Sequence, residues 1–209
     1  MFDLSILVAF IPAAIVLIVA PGPDSIYTLT RSVSDGRTVG VMAALGSSSG
    51  SIVHTTAAVV GLSALLQQSA LAFTVVKFAG AAYLVYIGIQ TLRDSEEFEI
   101  SPEEESYTPA ESYQSALMIN VLNPKVALFF LAFLPQFIQP QTNVTAQIFT
   151  LGVLFAGLGF VYQAILAVFS ARARRVITET ELMKTALRAV SGSVLVGFGM
   201  KLALERQPS

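Results

Sequence analysis

The sequence predicts an all-α membrane protein of six transmembrane helices, arranged as two inverted three-helix repeats with a broken first helix in each half. Three observations predict it. Hydrophobic residues make up 54% of the 209 and charged residues 12%, about half the charged share of a soluble domain, and the mean hydropathy is +0.70. The apolar residues lie in long blocks separated by short polar stretches, a pattern that membrane spans impose and a single soluble core does not. Two of the blocks carry proline breaks at corresponding places.

Crossing about 30 Å of hydrocarbon takes roughly 20 helical residues. Six blocks reach that length: residues 4–30, 39–66, 71–92, 113–138, 146–170 and 186–204. They are expected to be helical, because lipid offers backbone N–H and C=O groups no partner and nothing here alternates like a barrel strand. The first block starts from Met1-Phe2-Asp3 without the basic residues of a secretory signal, and runs into Pro21-Gly22-Pro23 and a second half-helix, so it is expected to be retained. In the second, Gly46, Gly50 and His54 recur every four residues and share a face, which marks a helix-packing seam. The third begins near Lys77. Between the third and fourth lies an acidic, proline-containing stretch read as a solvated linker. It divides the chain into a first half of residues 1–92, a linker of 93–112 and a second half of 113–209. The fourth block is broken at Asn123-Pro124-Lys125, and the fifth and sixth carry Gly152, Gly159, Gly192 and Gly199, read as packing positions.

Orientation follows from the short loops. Loop one holds Arg31 and Arg37, loop three Arg93, and loop five Arg172, Arg174, Arg175, Lys184 and Arg188, while the opposite side holds Lys201 and Arg206. Positive loops stay cytoplasmic, so both termini are expected outside.

Composition also excludes. Without cysteine there is no disulfide, thiolate metal site or cysteine nucleophile, and the single His54 cannot build a histidine-rich metal centre. Neither cofactor nor metal is expected. The charges are sparse in the apolar blocks and acidic in the linker, so nucleic acid is not an expected partner. The serines from Ser47 to Ser51 near His54 lack a strained turn and an orienting acid, so the chain is not read as an enzyme.

The breaks carry the chemistry. Pro21 and Pro23 cannot donate to the carbonyls of Leu17 and Val19, and Gly22 lets the chain turn, which leaves acceptors suited to a cation. The half-helix starting near Asp24 presents N–H groups and a positive dipole end suited to an anion. Asn123 is expected to cap a half-helix with Pro124 at its first position, and Lys125 adds a positive charge there. A zwitterion could bridge these poles, its ammonium on Asp24 and its carboxylate on Lys125. The alternatives are that Asp24 and Lys125 neutralise each other, or that Lys125 reaches for the interface. Asp24 could also carry the coupling proton. His54 is open to two readings, proton shuttle or packing histidine; Lys77 likewise, pathway lining or interface snorkelling.

Pro21-Gly22-Pro23-Asp24, the stretch from Arg31-Ser32 through Gly36-Arg37 and Gly40 to Ala43-Ala44-Leu45-Gly46, Lys77 with Gly80-Ala81-Ala82-Tyr83-Leu84, Tyr86 and Gly88, and Asn120-Val121-Leu122-Asn123-Pro124-Lys125 together resemble the LysE/RhtB family of amino-acid exporters. The resemblance implies export of amino acids or close derivatives from the cytoplasm of a prokaryote, across its inner membrane, driven by an ion gradient. The family's functional residues carry over to Pro21, Gly22, Pro23, Asp24, Asn123, Pro124 and Lys125. The resulting expectation is a secondary transporter exporting a neutral or weakly polar amino acid by alternating access with proton antiport. The alternative is a passive channel for small zwitterions. A bundle this small leaves room for a homodimer, which the sequence does not demonstrate.

Overall fold

A helix that meets Pro-Gly-Pro cannot continue its hydrogen-bond ladder, and the first block obeys. The computed structural model describes residues 4–20, 22–68, 70–93, 106–139, 142–170 and 181–204, and among them every regular element is helical. α1 (Leu4–Val19) and α2 (Pro23–Ser34) meet at an angle of 56°. Gly22 in extended conformation is the N-cap of α2 and Pro23 fills its first turn, where a missing N–H costs nothing. Gly36, at φ 96°, makes the reversal into α3 (Arg37–Gln68), a backbone conformation that a side chain would strain. α4 (Ala70–Arg93) follows.

α5 (Pro109–Val121) opens on a reciprocal cap in which the Thr108 hydroxyl accepts from Glu111 N–H and the Glu111 carboxylate accepts from Thr108 N–H. Asn123-Pro124 then ends one helix and starts another, α6 (Pro124–Leu128). The chain continues through a π-turn at Phe129–Phe133 and a 3₁₀ turn at Leu134–Phe137, and the whole second segment is bent 49° from α5. α7 (Val144–Val168), capped by the Asn143 side chain on Ala146 N–H, and α8 (Glu181–Leu204) complete the fold.

Small residues decide which helices touch. Gly46 lies against the Tyr113 backbone and Gly50 against the Asn120 side chain, which seats α3 on α5. Gly152 lies on Thr55 and seats α3 on α7; Gly88, Gly192 and Gly199 let α4 and α8 approach backbone to backbone. Gly159 departs from the packing expectation: no neighbour crowds it, and it borders a cavity. One aromatic cluster centred on Phe129 fills the region beyond the second break, with Phe155 stacked at 4.2 Å and Phe10, Phe130 and Phe133 around it.

The helices fall on the six expected blocks to within a few residues. Among the described residues α7 alone is a single helix long and apolar enough to cross a bilayer; α1–α2 and α5 with its continuation pass as bent pairs. α3 is long enough, but Ser47, Ser51 and Thr55 lower its hydropathy, and all three are buried against protein. Phe149, Val153, Val161 and Ile165 form an exposed stripe along one face of α7, the surface expected of a lipid-facing helix. Arg31 corrects the loop count: it lies in the last turn of α2 and is 0% exposed, so it is no loop anchor. The acidic linker over residues 94–105 and the Arg172 to Arg175 cluster lie outside the described residues.

Candidate functional site

The two breaks meet, and each is stitched by the other. Asp24 sits in the first turn of α2, where the helix dipole favours its charge. Its Oδ2 accepts from the side-chain amide of Asn123 at 3.0 Å and of Asn120 at 3.2 Å. Asn123 does two jobs, because its Oδ1 also accepts from Lys125 N–H at 3.0 Å and so caps α6. In the opposite direction, the Lys125 ammonium donates to the Ala20 carbonyl at 2.8 Å, beside the C-terminus of α1. A cation there offsets both an orphan carbonyl and the negative dipole end. Gly22 permits this approach, since a Cβ at that position would lie 2.8 Å from Lys125 Nζ. Asp24 and Lys125 thus share the site, each hydrogen-bonded to the opposite break.

Pro124 explains His54. Having no N–H, it cannot donate to the Asn120 carbonyl one turn back; that oxygen accepts instead from Asn123 N–H at 3.0 Å and meets His54 Nε2 at 3.1 Å. A carbonyl oxygen only accepts, so Nε2 carries a proton. The ring stacks on Phe130, with 5.7 Å between centroids.

A second set of polar groups adjoins the first. Thr28 donates to Gln163 Oε1 at 2.7 Å, Gln163 Nε2 to Ser47 Oγ at 2.9 Å, and Asn120 Nδ2 to the same Ser47 Oγ at 3.2 Å. Gln163, Ser47 and Asn120 border a cavity of about 30 Å³, together with Asp24, Ser48, Lys125 and Phe155, which is room for about two waters. Asp24 Oδ1 and Ser48 Oγ are buried there without a hydrogen-bond partner. At the far end of α2, Arg31 donates to Asp35 at 3.0 Å and lies 4.1 Å from the centre of the Tyr107 ring, while Tyr107 N–H donates to the other Asp35 oxygen at 3.2 Å.

Of the residues singled out from sequence, Gly22, Pro23, Asp24, Asn123, Pro124, Lys125 and His54 are brought together. Pro21 lies outside the described residues, and Lys77 lies on α4 with its side chain outside them. Asn120 appeared in sequence only as part of a motif, while Ser47, Thr28 and Gln163 carried no assigned role. Among the described residues no cluster of three His, Asp or Glu is placed to hold a metal.

The family of LysE type translocators matches residues 15–206. The chain belongs to that family. LysE translocators are membrane transporters rather than enzymes, and amino-acid efflux proteins are among the relatives of this one. It is 32% identical to a membrane protein of Vibrio cholerae serotype O1, over 96% of this chain and 98% of the relative. It is also 32% identical to the homoserine/homoserine lactone efflux protein of Salmonella typhimurium, over 95% and 96%. The membrane protein YrhP of Bacillus subtilis is 28% identical over 95% and 98%. No solved structure matches this LysE translocator.

Proposed function

We propose that this amino-acid exporter is a secondary active antiporter, moving neutral or weakly polar amino acids or close derivatives out of the cytoplasm in exchange for protons. The observation that carries the reading is the mutual stitching of two helix breaks around a buried carboxylate: Asp24 on the amides of Asn120 and Asn123, Lys125 on the Ala20 carbonyl. Interrupted helices in corresponding positions are where transporters of this kind hold solute and ion. The efflux of homoserine and its lactone, named for the Salmonella typhimurium relative, supports a small amino acid as cargo.

In this reading the halves are residues 1–92 and 113–209, joined by the 93–112 linker and related by inversion across the inner membrane of a prokaryote, with both termini outside. Asp24 binds the coupling proton and the solute in turn. Pro21, Gly22, Pro23, Asn123, Pro124 and Lys125 shape the breaks, and His54 braces the second. Two such bundles pair as a homodimer. The cavity is smaller than an amino acid, so loading requires the helices around it to part.

Inside-out vesicles containing the protein test the proposal. Saturable accumulation of a labelled amino acid that collapses with a protonophore is expected; equilibration without accumulation means a passive channel instead.

A further inference from the structure

A glycine in the middle of a helix is destabilising relative to alanine, so each one calls for a reason. On α7 the reason for Gly152 is contact, since a Cβ there would strike the Thr55 side chain. At Gly159 a Cβ would meet no atom within 4 Å. Helical spacing puts this residue one turn after Phe155 and one turn before Gln163, so the three share a face of α7, and all three border the cavity. Both flanking side chains are held in place: Phe155 stacks on Phe129 at 4.2 Å, and the Gln163 amide accepts from Thr28 and donates to Ser47. Leu17 of α1 and Val126 of α6, buried in the same apolar core as Phe155, border the cavity too. A close-packed wall thus lacks a side chain at one position. Gly157 gives the contrast: it also has open space around it, but it is exposed, one turn from Val153 and from Val161 on the outward stripe of α7.

We propose that Gly159 sets the size of the side chain this exporter accepts. The solute's side chain rests against the bare turn of α7 between Phe155 and Gln163, and each carbon added at position 159 takes the place of one on the solute. The proposal rests on the exporter reading above and names the residue that selects among its neutral amino acids. Because a Cβ at 159 touches no protein atom, a substitution there weighs on the solute and not on the fold. The turn belongs to α7, so the added bulk travels with that wall however the other helices part. Asp24, Asn123 and Lys125 lie on other segments, which leaves the two breaks and their hydrogen bonds as they are.

Inside-out vesicles carrying the parent protein, Gly159→Ala, Gly159→Val or Gly157→Val are given alanine, serine, threonine, valine and leucine, ranked by competition against the smallest of them that the parent accumulates in labelled form. Gly159→Ala is expected to weaken leucine relative to alanine by at least about fivefold, and Gly159→Val to weaken it further, because one carbon too many in a filled pocket is rejected by about that factor or more. Gly157→Val is expected to keep the parent's order. An unchanged order in the Gly159 variants, an equal loss for all five solutes, or a like shift in Gly157→Val overturns the inference and leaves export standing. Failure of the parent to accumulate any of the five sinks the exporter reading, and this inference with it. A second measurement needs no flux: Gly159→Ala, a better helix former in open space, is expected to keep or raise the melting temperature of the purified protein, whereas a fall would make residue 159 a packing position and overturn the assignment.

Discussion

A carboxylate held by neutral amides can gain and lose a proton without breaking an ion pair, whereas one locked to an ammonium cannot do so cheaply. The Asp24 carboxylate accepts from two such amides. Asp24→Asn preserves shape and removes the charge, so gradient-driven accumulation is expected to fall at least tenfold, a loss of about 1.4 kcal/mol or more, and what remains should no longer vary with pH. Uptake measured across a pH series checks this, and a surviving pH dependence would remove Asp24 from coupling. Asn123→Ala is expected to cost about 1 kcal/mol through the lost cap alone, read as a lowered melting temperature, with weaker solute binding because Asp24 loses a donor. Asp24, Asn123 and Lys125 were legible in the sequence because prolines mark the places where backbone groups go unpaired. Asn120 could have been found by counting one turn back from Pro124 to the carbonyl it abandons. Gln163 and Thr28 carried no such mark, since an isolated amide or hydroxyl in an apolar block declares neither its face nor its partner. Arg31 was misread because it lies close to the end of an apolar block, where a positive charge usually signals water.

Helix ends and seams govern how the elements move against one another. Hydrogen bonds from the Thr108 hydroxyl and N–H hold the exposed Glu111 carboxyl below its ordinary range. Its support for the first turn of α5 is therefore complete above the unfolded value and is lost as pH falls through the lower folded one. Thr108→Ala should move the Glu111 titration upward, which carbon NMR of labelled glutamate would reveal; an unmoved titration would mean the cap is absent in solution. Along the seam between α3 and α5, Gly50→Val drives a side chain into Asn120. The expected loss is about 1–3 kcal/mol from overpacking, together with impaired transport as Asn120 is displaced from Asp24. At the other end of α2, the aromatic face of Tyr107 covers the buried Arg31, a contact that phenylalanine retains and alanine does not. The chain has no cysteine, so Ser48→Cys reports access to the cavity against a silent background. Tyr107→Ala is expected to speed its modification by a membrane-impermeant thiol reagent about tenfold in inside-out vesicles, as about 1–2 kcal/mol of cation–π contact is released, and Tyr107→Phe to leave it unchanged. Equal rates in all three would mean that Tyr107 does not close that route.

For the molecule as a whole, hydropathy blocks located the helices, because a bilayer enforces length and apolarity more strictly than any soluble core does. Hydropathy said nothing about which helices touch. The seating of α3 between α5 and α7, and of α4 on α8, depends on glycines meeting specific backbones, and a one-dimensional pattern carries no record of the opposing surface. The same limit hid the cavity, whose walls come from α1, α2, α3, α5, α6 and α7. If α3 and α5 must part to admit solute, joining Val39→Cys to Ser112→Cys with a short bifunctional thiol reagent should stop flux, and cleaving the link should restore it; the parent residues are held together by the Ser112 hydroxyl on the Val39 carbonyl at 3.0 Å. Flux through the linked protein would mean that other helices open the path. The π-turn at Phe129–Phe133 gives the opposite side a different freedom. Such a turn houses one residue more than the α ladder allows, so it is a dislocation in the helix, and dislocations travel. Sliding it along by one position would spin each side chain it passes by about 100° while every backbone hydrogen bond found a new partner, turning Phe130 away from His54 as a key turns a tumbler.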